Sequence, residues 1–218
     1  LKPAYNLQVA VENYFVIHTY VSDDRTDYNT LVPVLKKHKK NLGQYPNEAI
    51  ADSGYSSEKN LMFLQKHHVD SYIKLQTHEK MKTRAYKTDI GKYYNMTELE
   101  DGYICADGRK LELSHHENRR SKGFEQVFNV YRCKDCNGCN HKSQCLYKYD
   151  EVKHQHKNKV IKVNRNWDTL KALSHKNIQS NKGIYYRQIR SIQTEGFFGD
   201  MKENDGFRKF NHRSTEKV

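Results

Sequence analysis

The sequence predicts an α/β fold, and three observations support this prediction. The segment YNLQVAVE alternates with the period of a β-strand, a helical pattern of apolar residues comes next, and a short apolar run at residues 49–51 ends at an acid. Together with a second strand after the first one, and with a helix and a strand after residue 52, these segments give the predicted order β-β-α-β-α-β. This order is typical of a mixed sheet that has one antiparallel edge and flanking helices.

The first two strands are predicted from residue alternation. In YNLQVAVE, Leu7, Val9 and Val11 lie on one face of an extended chain, and Asn6 and Gln8 lie on the other. The segment YFVIHTYV comes almost immediately after it and is rich in β-branched and aromatic residues. We therefore expect a β-hairpin at this end of the chain.

A helix is predicted after the hairpin. Leu31, Leu35 and His38 recur at helical spacing, and Pro33 is compatible with a helix only in its first turn. Asp24 and Asp27 precede this run, and we interpret them as helix-capping residues. They are therefore left out of the candidate site.

The next strand carries the first candidate catalytic residue. Residues 49–51 are apolar and lead directly into Asp52, while Gly54 permits a sharp turn and Ser56 or Ser57 can cap a following helix. A further strand is predicted at residues 72–75. Active sites of α/β sheets gather beyond the carboxyl ends of strands, which is where this pattern places Asp52.

Composition divides the chain into three parts. Residues 1–76 form the first part of a core, and residues 77–174 form an inserted β-rich subdomain with a cysteine cluster. Residues 175–218 return to helical patterns and complete the core. The middle part differs from the other two in that Lys, His, Tyr and Asn dominate it and its β-strand patterns are short.

The charge of the chain favours a polyanionic partner. Its 218 residues include 38 Lys and Arg against 26 Asp and Glu, for a formal net charge of +12, as expected of a nucleic-acid-binding protein. No apolar run approaches the roughly 20 residues that span a bilayer, and five cysteines without a secretory signal indicate a reducing compartment, by default the cytoplasm. Because the chain begins at Leu1 within a strand-like pattern, we interpret it as a piece of a longer polypeptide.

Four of the cysteines form a dense cluster that suits a metal ion. Cys133, Cys136, Cys139 and Cys145 have the spacing C-x2-C-x2-C-x5-C, and four thiolates are a common ligand set for structural Zn²⁺. One alternative is an iron–sulfur cluster, although the proline that often follows the fourth cysteine of such a motif is absent here. The other is four reduced cysteines that are partly buried in a β-rich subdomain. Cys105 is interpreted as an ordinary buried thiol.

The second candidate catalytic residue lies near the end of the chain, in IRSIQTEGFFGDMKENDGFRKF. On an uninterrupted α-helix, Glu195 and Lys202 share one face, and Glu195 borders the apolar stripe formed by Tyr185, Ile189 and Ile192. The simplest alternative is a solvated glutamate with an ion-pair partner on its own helix. The basic residues around Glu195 instead suggest a site for a phosphodiester, provided that a second acid lies nearby.

Three blocks of the sequence carry a family resemblance. The segments KPAYNLQVAVE, ADSGYSSEKN and RSIQTEGFFGDMKENDGFRKFNHRS resemble, in this order, the DDE-domain transposases of bacterial insertion sequences. The resemblance implies an RNase H-like fold with a mixed sheet, in which two Asp and one Glu hold two Mg²⁺ or Mn²⁺ ions for DNA strand cleavage and strand transfer. By motif, Asp52 matches the second Asp and Glu195 the Glu.

The same resemblance implies a set of DNA contacts. Lys202 matches the basic residue that contacts the transposon end, and Tyr186 and Arg190 match upstream residues, although their spacing is one residue looser than in the common motif. The other basic residues of this region complete the predicted DNA-binding set, which is Tyr186, Arg190, Lys202, Arg208, Lys209 and Arg213. The expected partners are transposon-end and target DNA, with a homodimer as a candidate assembly and no small-molecule substrate.

The chain departs from the family pattern at the first Asp, which would lie upstream of Leu1. Glu12 is a nearby acid but does not occupy the matching place. We therefore expect these residues alone to bind DNA and to cleave it poorly. Two other hypotheses stay open: a non-catalytic, zinc-containing DNA-binding protein derived from a transposase, and a related nuclease without joining activity.

Overall fold

The computed structural model describes residues 5–121, 123–207, 209–212, 214–215 and 217, and it divides the chain into two compact units. One unit comprises Leu1–Gln76 with Leu170–Val218, and the other comprises Thr77–Thr169. The fold is mixed α/β. Within the described residues, no helix is long and apolar enough to cross a lipid bilayer.

The first unit begins with the predicted hairpin. Strands β1 (Asn6–Glu12) and β2 (Phe15–Ser22) pair antiparallel, with a bulge at Ala10/Val11. Helix α1 (Leu31–Leu42) comes next and buries Leu31, Leu35 and His38, as its helical spacing predicts. It ends at Gly43, whose φ of 80° is a left-handed conformation that glycine adopts without strain.

A parallel strand pair then positions Asp52. Strand β3 (Glu48–Ala51) pairs with β4 (Asp70–Ile73), and α2 (Glu58–Lys66) makes the crossover between them. The side chain of Ser57 caps α2 by accepting a hydrogen bond from the backbone of Asn60, which confirms the predicted cap.

The prediction of one mixed sheet is not confirmed for the described residues. The β1–β2 hairpin and the β3–β4 pair are separate two-stranded sheets. Alternation and apolar runs predict where strands form, but the pairing of distant strands depends on long-range packing that these patterns do not contain.

The second unit is built on a five-stranded antiparallel sheet in the order β5-β6-β7-β8-β9. Its strands are β5 (Thr97–Leu99), β6 (Gly102–Ile104), β7 (Lys110–Ser121), β8 (Phe124–Cys133) and β9 (Val160–Val163). Among the described residues of this unit, the short α-helices are α3 (Arg84–Lys87), α4 (Lys142–Cys145) and α5 (Glu151–His154), and single 3-10 turns lie at Lys80–Lys82 and Tyr93–Asn95. The boundaries predicted for the insertion, 77–174, stay a prediction.

The chain returns to the first unit through helices. Helix α6 (Arg165–Gln179) is anchored by Ser174, whose buried hydroxyl donates a 2.6 Å hydrogen bond to the backbone carbonyl of Ile73. Helix α7 (Asn181–Arg190) leads into a π turn at Ser191–Glu195, which continues into α8 (Gly196–Glu203). The candidate Glu195 therefore lies at the junction of the π turn and α8.

Candidate active site

Asp52 lies directly after β3, at the carboxyl end of a parallel strand. It precedes a 3-10 helix at Ser53–Tyr55, and its Oδ1 accepts a 2.7 Å hydrogen bond from the backbone N–H of Gly54. The residue is exposed. Its carboxylate is thus held at a strand end and remains accessible to a ligand from solvent.

A second carboxylate, that of Asp27, lies beside Asp52. A β-carbon added to Gly54 would stand 2.7 Å from Asp27 Oδ2 and 3.0 Å from Asp52 Oδ1. The two oxygens are therefore within about 6 Å of each other. Gly54 allows this approach because it places no side chain between the two acids.

The interpretation of Asp27 as a helix cap is wrong. Its Oδ1 accepts hydrogen bonds from Asn6 Nδ2 at 2.8 Å and from Gln8 Nε2 at 3.0 Å, both of which extend from β1. The amide side chains of Asn6 and Gln8 on one face of a strand could have predicted a polar partner nearby, because amides that face the interior of a protein need hydrogen-bond partners. The sequence did not identify that partner, which is 19 residues from Gln8.

Tyr55 completes this polar group. Its hydroxyl donates to Gln8 Oε1, so that Gln8 connects Tyr55 to Asp27. Burial raises the pKa of the Tyr55 phenol, and the negative charges of Asp27 and Asp52 raise it further. Tyr55 is therefore a neutral hydrogen-bond donor at physiological pH, a role that no sequence pattern indicated.

Glu195 is oriented by two neighbours on its own segment. Its Oε1 accepts a 3.1 Å hydrogen bond from Arg190 Nη2, and its Oε2 accepts a 3.0 Å hydrogen bond from Ser191 Oγ. Both contacts connect the carboxylate to the start of the π turn. They fix its orientation although the side chain is 63% exposed.

The expectation that Glu195 borders the core is wrong. The side chain is exposed, and Ile192 in the adjoining stripe is 58% exposed as well. The stripe is exposed even before the π turn, since Tyr185 on α7 is 57% exposed. Glu195 and Lys202 nevertheless line one open groove together with Phe198.

Arg190 interacts with Glu195 and also influences Tyr55 of the aspartate group. It pairs with Glu195, and its positive charge is close enough to Tyr55 to oppose the rise in the phenol pKa. The π turn also contacts β1, the strand that holds Asp27. No three His, Cys, Asp or Glu side chains within the described ranges stand in positions to hold a metal ion, so the sharing of a cation by Asp52 and Glu195 stays a prediction.

Two further residues of the predicted DNA-binding set, Tyr186 and Lys202, have defined positions. Tyr186 donates its hydroxyl to Glu48 on β3 and packs edge-to-face on Tyr72 with ring centroids 5.0 Å apart. Lys202 is exposed, and its ammonium lies 5.7 Å from the ring centroid of Phe198. Tyr186 therefore anchors α7 to β3, whereas Lys202 is accessible in the groove.

The remaining basic residues lie beyond α8. Lys209 is exposed. Arg208 and Arg213 lie outside the described residues, so their predicted contacts with DNA stay predictions.

The four cysteines of the predicted zinc set do not stand in ligating positions within the part of the chain that the structure describes. Cys133 and Cys136 are buried, whereas Cys139 and Cys145 are partly exposed. Burial, with a hydrogen bond to Cys136, raises the pKa of the Cys133 thiol to about 11. The Cys133 thiol is therefore protonated at neutral pH.

Comparison with known proteins connects these observations to one family. A family model described as a transposase DDE domain matches residues 104–218, more than half of the chain. The match includes Arg190, Glu195 and Lys202, whereas Asp52 lies outside it. No curated protein and no solved structure matches the chain significantly. The chain therefore belongs to the family of transposase DDE domains.

Proposed function

We propose that this chain takes part in Mg²⁺-dependent DNA strand cleavage and strand transfer, with Asp52 and Glu195 as two of the catalytic carboxylates and with little cleavage by residues 1–218 alone. The observation that carries the proposal is the family match, which contains Glu195 and suggests transposition on DNA. The position of Asp52 at the carboxyl end of a parallel strand supports it independently.

We further propose that the first unit is an RNase H-like core. The order of hairpin, α1, β3, α2 and parallel β4, with a later helix that bears an acid, is compatible with such a core. In this interpretation the β1–β2 hairpin and the β3–β4 pair belong to one functional scaffold. The second unit is then an insertion in the chain between Asp52 and Glu195.

The donor set fits a divalent cation of the Mg²⁺ class. Asp52 and Glu195 present exposed carboxylates, and Mg²⁺ prefers oxygen ligands. Asp27 is a further candidate ligand because its Oδ2 is directed toward Asp52. When bound, a pair of such ions supplies activation of the attacking oxygen and stabilisation of the leaving oxygen at phosphorus.

The chain's own residues orient these carboxylates. Asn6 and Gln8 hold one oxygen of Asp27, and the Gly54 N–H holds one oxygen of Asp52. Arg190 holds Glu195 and adds a positive charge near the position of a phosphate. Preorganisation of this kind lowers the cost of assembling the site when DNA binds.

The charge distribution supports DNA as the partner. The net charge is +12, and Lys202 lies in the same groove as Glu195. We propose that Lys202 and Lys209, with Arg208 and Arg213, contact the phosphates of transposon-end or target DNA. Assembly as a homodimer and a cytoplasmic location stay predictions.

A strand-transfer assay tests the proposal. Protein expressed from its complete reading frame is incubated with its element's terminal DNA, a target plasmid and Mg²⁺, and the variants D52N and E195Q are compared with wild type. The exposed Glu12, at the end of β1, provides the matched control variant E12Q. We expect joined products from wild type and E12Q, and a loss of at least about 100-fold in the two carboxamide variants.

Each other outcome contradicts a defined part of the proposal. Cleavage without joining would indicate a nuclease. DNA binding without any Mg²⁺-dependent product from wild type would indicate the non-catalytic alternative. Full activity in D52N or E195Q would remove that residue from the site.

A further inference from the structure

Helix α7 begins at a corner that is fixed to β4 through the preceding helix, α6. The Ser174 hydroxyl of α6 donates to the carbonyl of Ile73 at 2.6 Å, and the Asn177 amide donates to that of Ser71 at 3.1 Å. At the corner, a β-carbon on Gly183 would stand 2.1 Å from the Asn177 carbonyl oxygen, so this close approach of α6 and α7 requires glycine. The start of α7 is therefore held against the strand pair.

Glu48 on β3 holds the next turn of α7. Its carboxylate accepts a hydrogen bond from the Tyr186 hydroxyl and forms an ion pair with Lys182. These two residues lie on one helical face, and the Tyr186 ring also packs edge-to-face on Tyr72 of β4. A phenol has one O–H to donate, and that of Tyr186 is directed to Glu48. The hydroxyl is thus engaged within the protein and has no second proton for a DNA phosphate.

The same two elements carry the candidate carboxylates. Asp52 follows Glu48 by four residues, about 13 Å along a strand that rises about 3.3 Å per residue. Glu195 follows Tyr186 by nine residues, about 13–14 Å along a helix that rises about 1.5 Å per residue. The Glu48–Tyr186 contact is therefore at a similar distance, measured along each element, from both carboxylates.

Helix α7 extends from this contact toward the carboxyl end of β3. The π turn that follows it contacts β1, the strand that holds Asp27 beside Asp52. Arg190, at the end of α7, is close enough to Tyr55 for its charge to oppose the rise in the phenol pKa. The helix thus leads from its anchor on β3 to the aspartate group.

Glu195 depends on this anchor for its position. Its carboxylate accepts hydrogen bonds from Arg190 and Ser191, both on its own segment, and its side chain is 63% exposed. Within the described residues, these hydrogen bonds connect the carboxylate to its own helix and not to the strands. The direction of α7 therefore sets where the carboxylate stands.

We propose that the Glu48–Tyr186 hydrogen bond positions Glu195 relative to Asp52, and that Tyr186 is a positioning residue instead of the DNA contact that the family resemblance implies. The inference rests on the proposed function, in which the two carboxylates act together. Loss of the hydrogen bond allows α7 to tilt, and a tilt of about 5° displaces Glu195 by about 1 Å over the length of the helix. A displacement of this size slows catalysis by up to about 100-fold.

Strand-transfer kinetics test the proposal. Y186F removes only the hydroxyl, and Y185F makes the same change at the exposed neighbouring tyrosine of α7, as a matched control. With protein expressed from the complete reading frame, we expect kcat about tenfold lower in Y186F at an unchanged KM for the terminal DNA, and wild-type kinetics in Y185F. A raised KM for DNA with unchanged kcat in Y186F would overturn the proposal in favour of a DNA contact, and wild-type kinetics in Y186F would overturn it as well.

Variants of Glu48 test whether the two residues act as one unit. We expect E48A to lower kcat about as much as Y186F, and the double variant E48A/Y186F to lower it no further. E48Q retains an oxygen that accepts from the phenol, so it should keep at least about one third of the wild-type kcat. Losses that multiply in the double variant would overturn the proposal.

Hydrogen exchange separates this proposal from the proposed function. Exchange of the backbone amides of residues 187–199 is measured by mass spectrometry in the same variants without DNA. We expect exchange at least about threefold faster in Y186F and E48A, and unchanged exchange in Y185F. Wild-type protein that forms no strand-transfer product would contradict the proposed function, whereas unchanged exchange in Y186F would overturn the anchor whether or not the protein is active.

Discussion

Replacing Gly54 by alanine tests the close approach of Asp27 and Asp52. The new methyl group would stand 2.7 Å from Asp27 Oδ2 and 3.0 Å from Asp52 Oδ1, short of the 3.4 Å at which ordinary contact begins. At least one carboxylate must move by several tenths of an ångström. That movement weakens the hydrogen bond from Gly54 N–H to Asp52 or the bonds from Asn6 and Gln8 to Asp27.

The expected cost can be worked out from these contacts. A hydrogen bond to a charged group contributes about 1.5–3 kcal/mol, and alanine regains about 0.4–1 kcal/mol by restricting the unfolded chain. We therefore expect G54A to lower the free energy of unfolding by about 1–2 kcal/mol, or Tm by about 2–8 °C. The control G196A adds a methyl group to a helix position with no atom within 4 Å and should be neutral or slightly stabilising.

A double-mutant cycle shows whether Asp27 is responsible. Removing its side chain in D27A should cost less in the G54A background than in wild type, with a coupling of at least about 0.5 kcal/mol. Thermal unfolding monitored by circular dichroism measures all four proteins. Equal stability of G54A and wild type, or strict additivity in the cycle, would refute the proximity of the two carboxylates.

Two further predictions concern α7 and α8. Burial raises the pKa of Glu48, but hydrogen bonds from Lys182 and Tyr186 outweigh this effect and leave the pKa below its usual 4.5. The contribution of Glu48 to stability is thus present above about pH 4.5 and is lost as the pH falls through the lower folded-state pKa. E48Q should lower the free energy of unfolding by about 1 kcal/mol at pH 7 and reduce the loss of stability at acidic pH. A curve of stability against pH that runs parallel to that of wild type would contradict this. K202A should weaken DNA binding and reduce the slope of log K, the DNA-binding constant, against log [salt] by about one. The control K40A, on the exposed side of α1, should leave the slope unchanged. Equal slopes for K202A and wild type would exclude a phosphate contact.

Local patterns predicted the elements that depend on neighbouring residues. The β1–β2 hairpin was predicted from alternation, α1 from the spacing of Leu31 and Leu35, and the start of α2 from the capping side chain of Ser57. Each of these depends on interactions within a few residues, which a sequence displays directly. The placement of Asp52 after β3 was correct for the same reason.

Long-range contacts account for what the sequence did not predict. The carboxylate of Asp27 meets amides 19 and 21 residues away, and Cys105 packs against the core that contains Cys133 and Cys136 because β7 pairs with both β6 and β8. The π turn at Ser191–Glu195 was not predicted either, because the helical pattern assumes a constant helical repeat. The sequence therefore predicted the local elements that carry the candidate residues better than the surroundings of those residues.

The most direct test of the proposed active site is a cation-binding measurement, because the central claim is that Asp52 and Glu195 bind the same divalent ions. Mn²⁺ is titrated into the wild-type chain and the variants D52N, E195Q and E12Q, and free Mn²⁺ is measured by electron paramagnetic resonance. We predict that D52N and E195Q each weaken binding by about tenfold or more, while E12Q matches wild type. Mn²⁺ affinity that is unchanged in both D52N and E195Q would contradict the claim that these two carboxylates form one cation site.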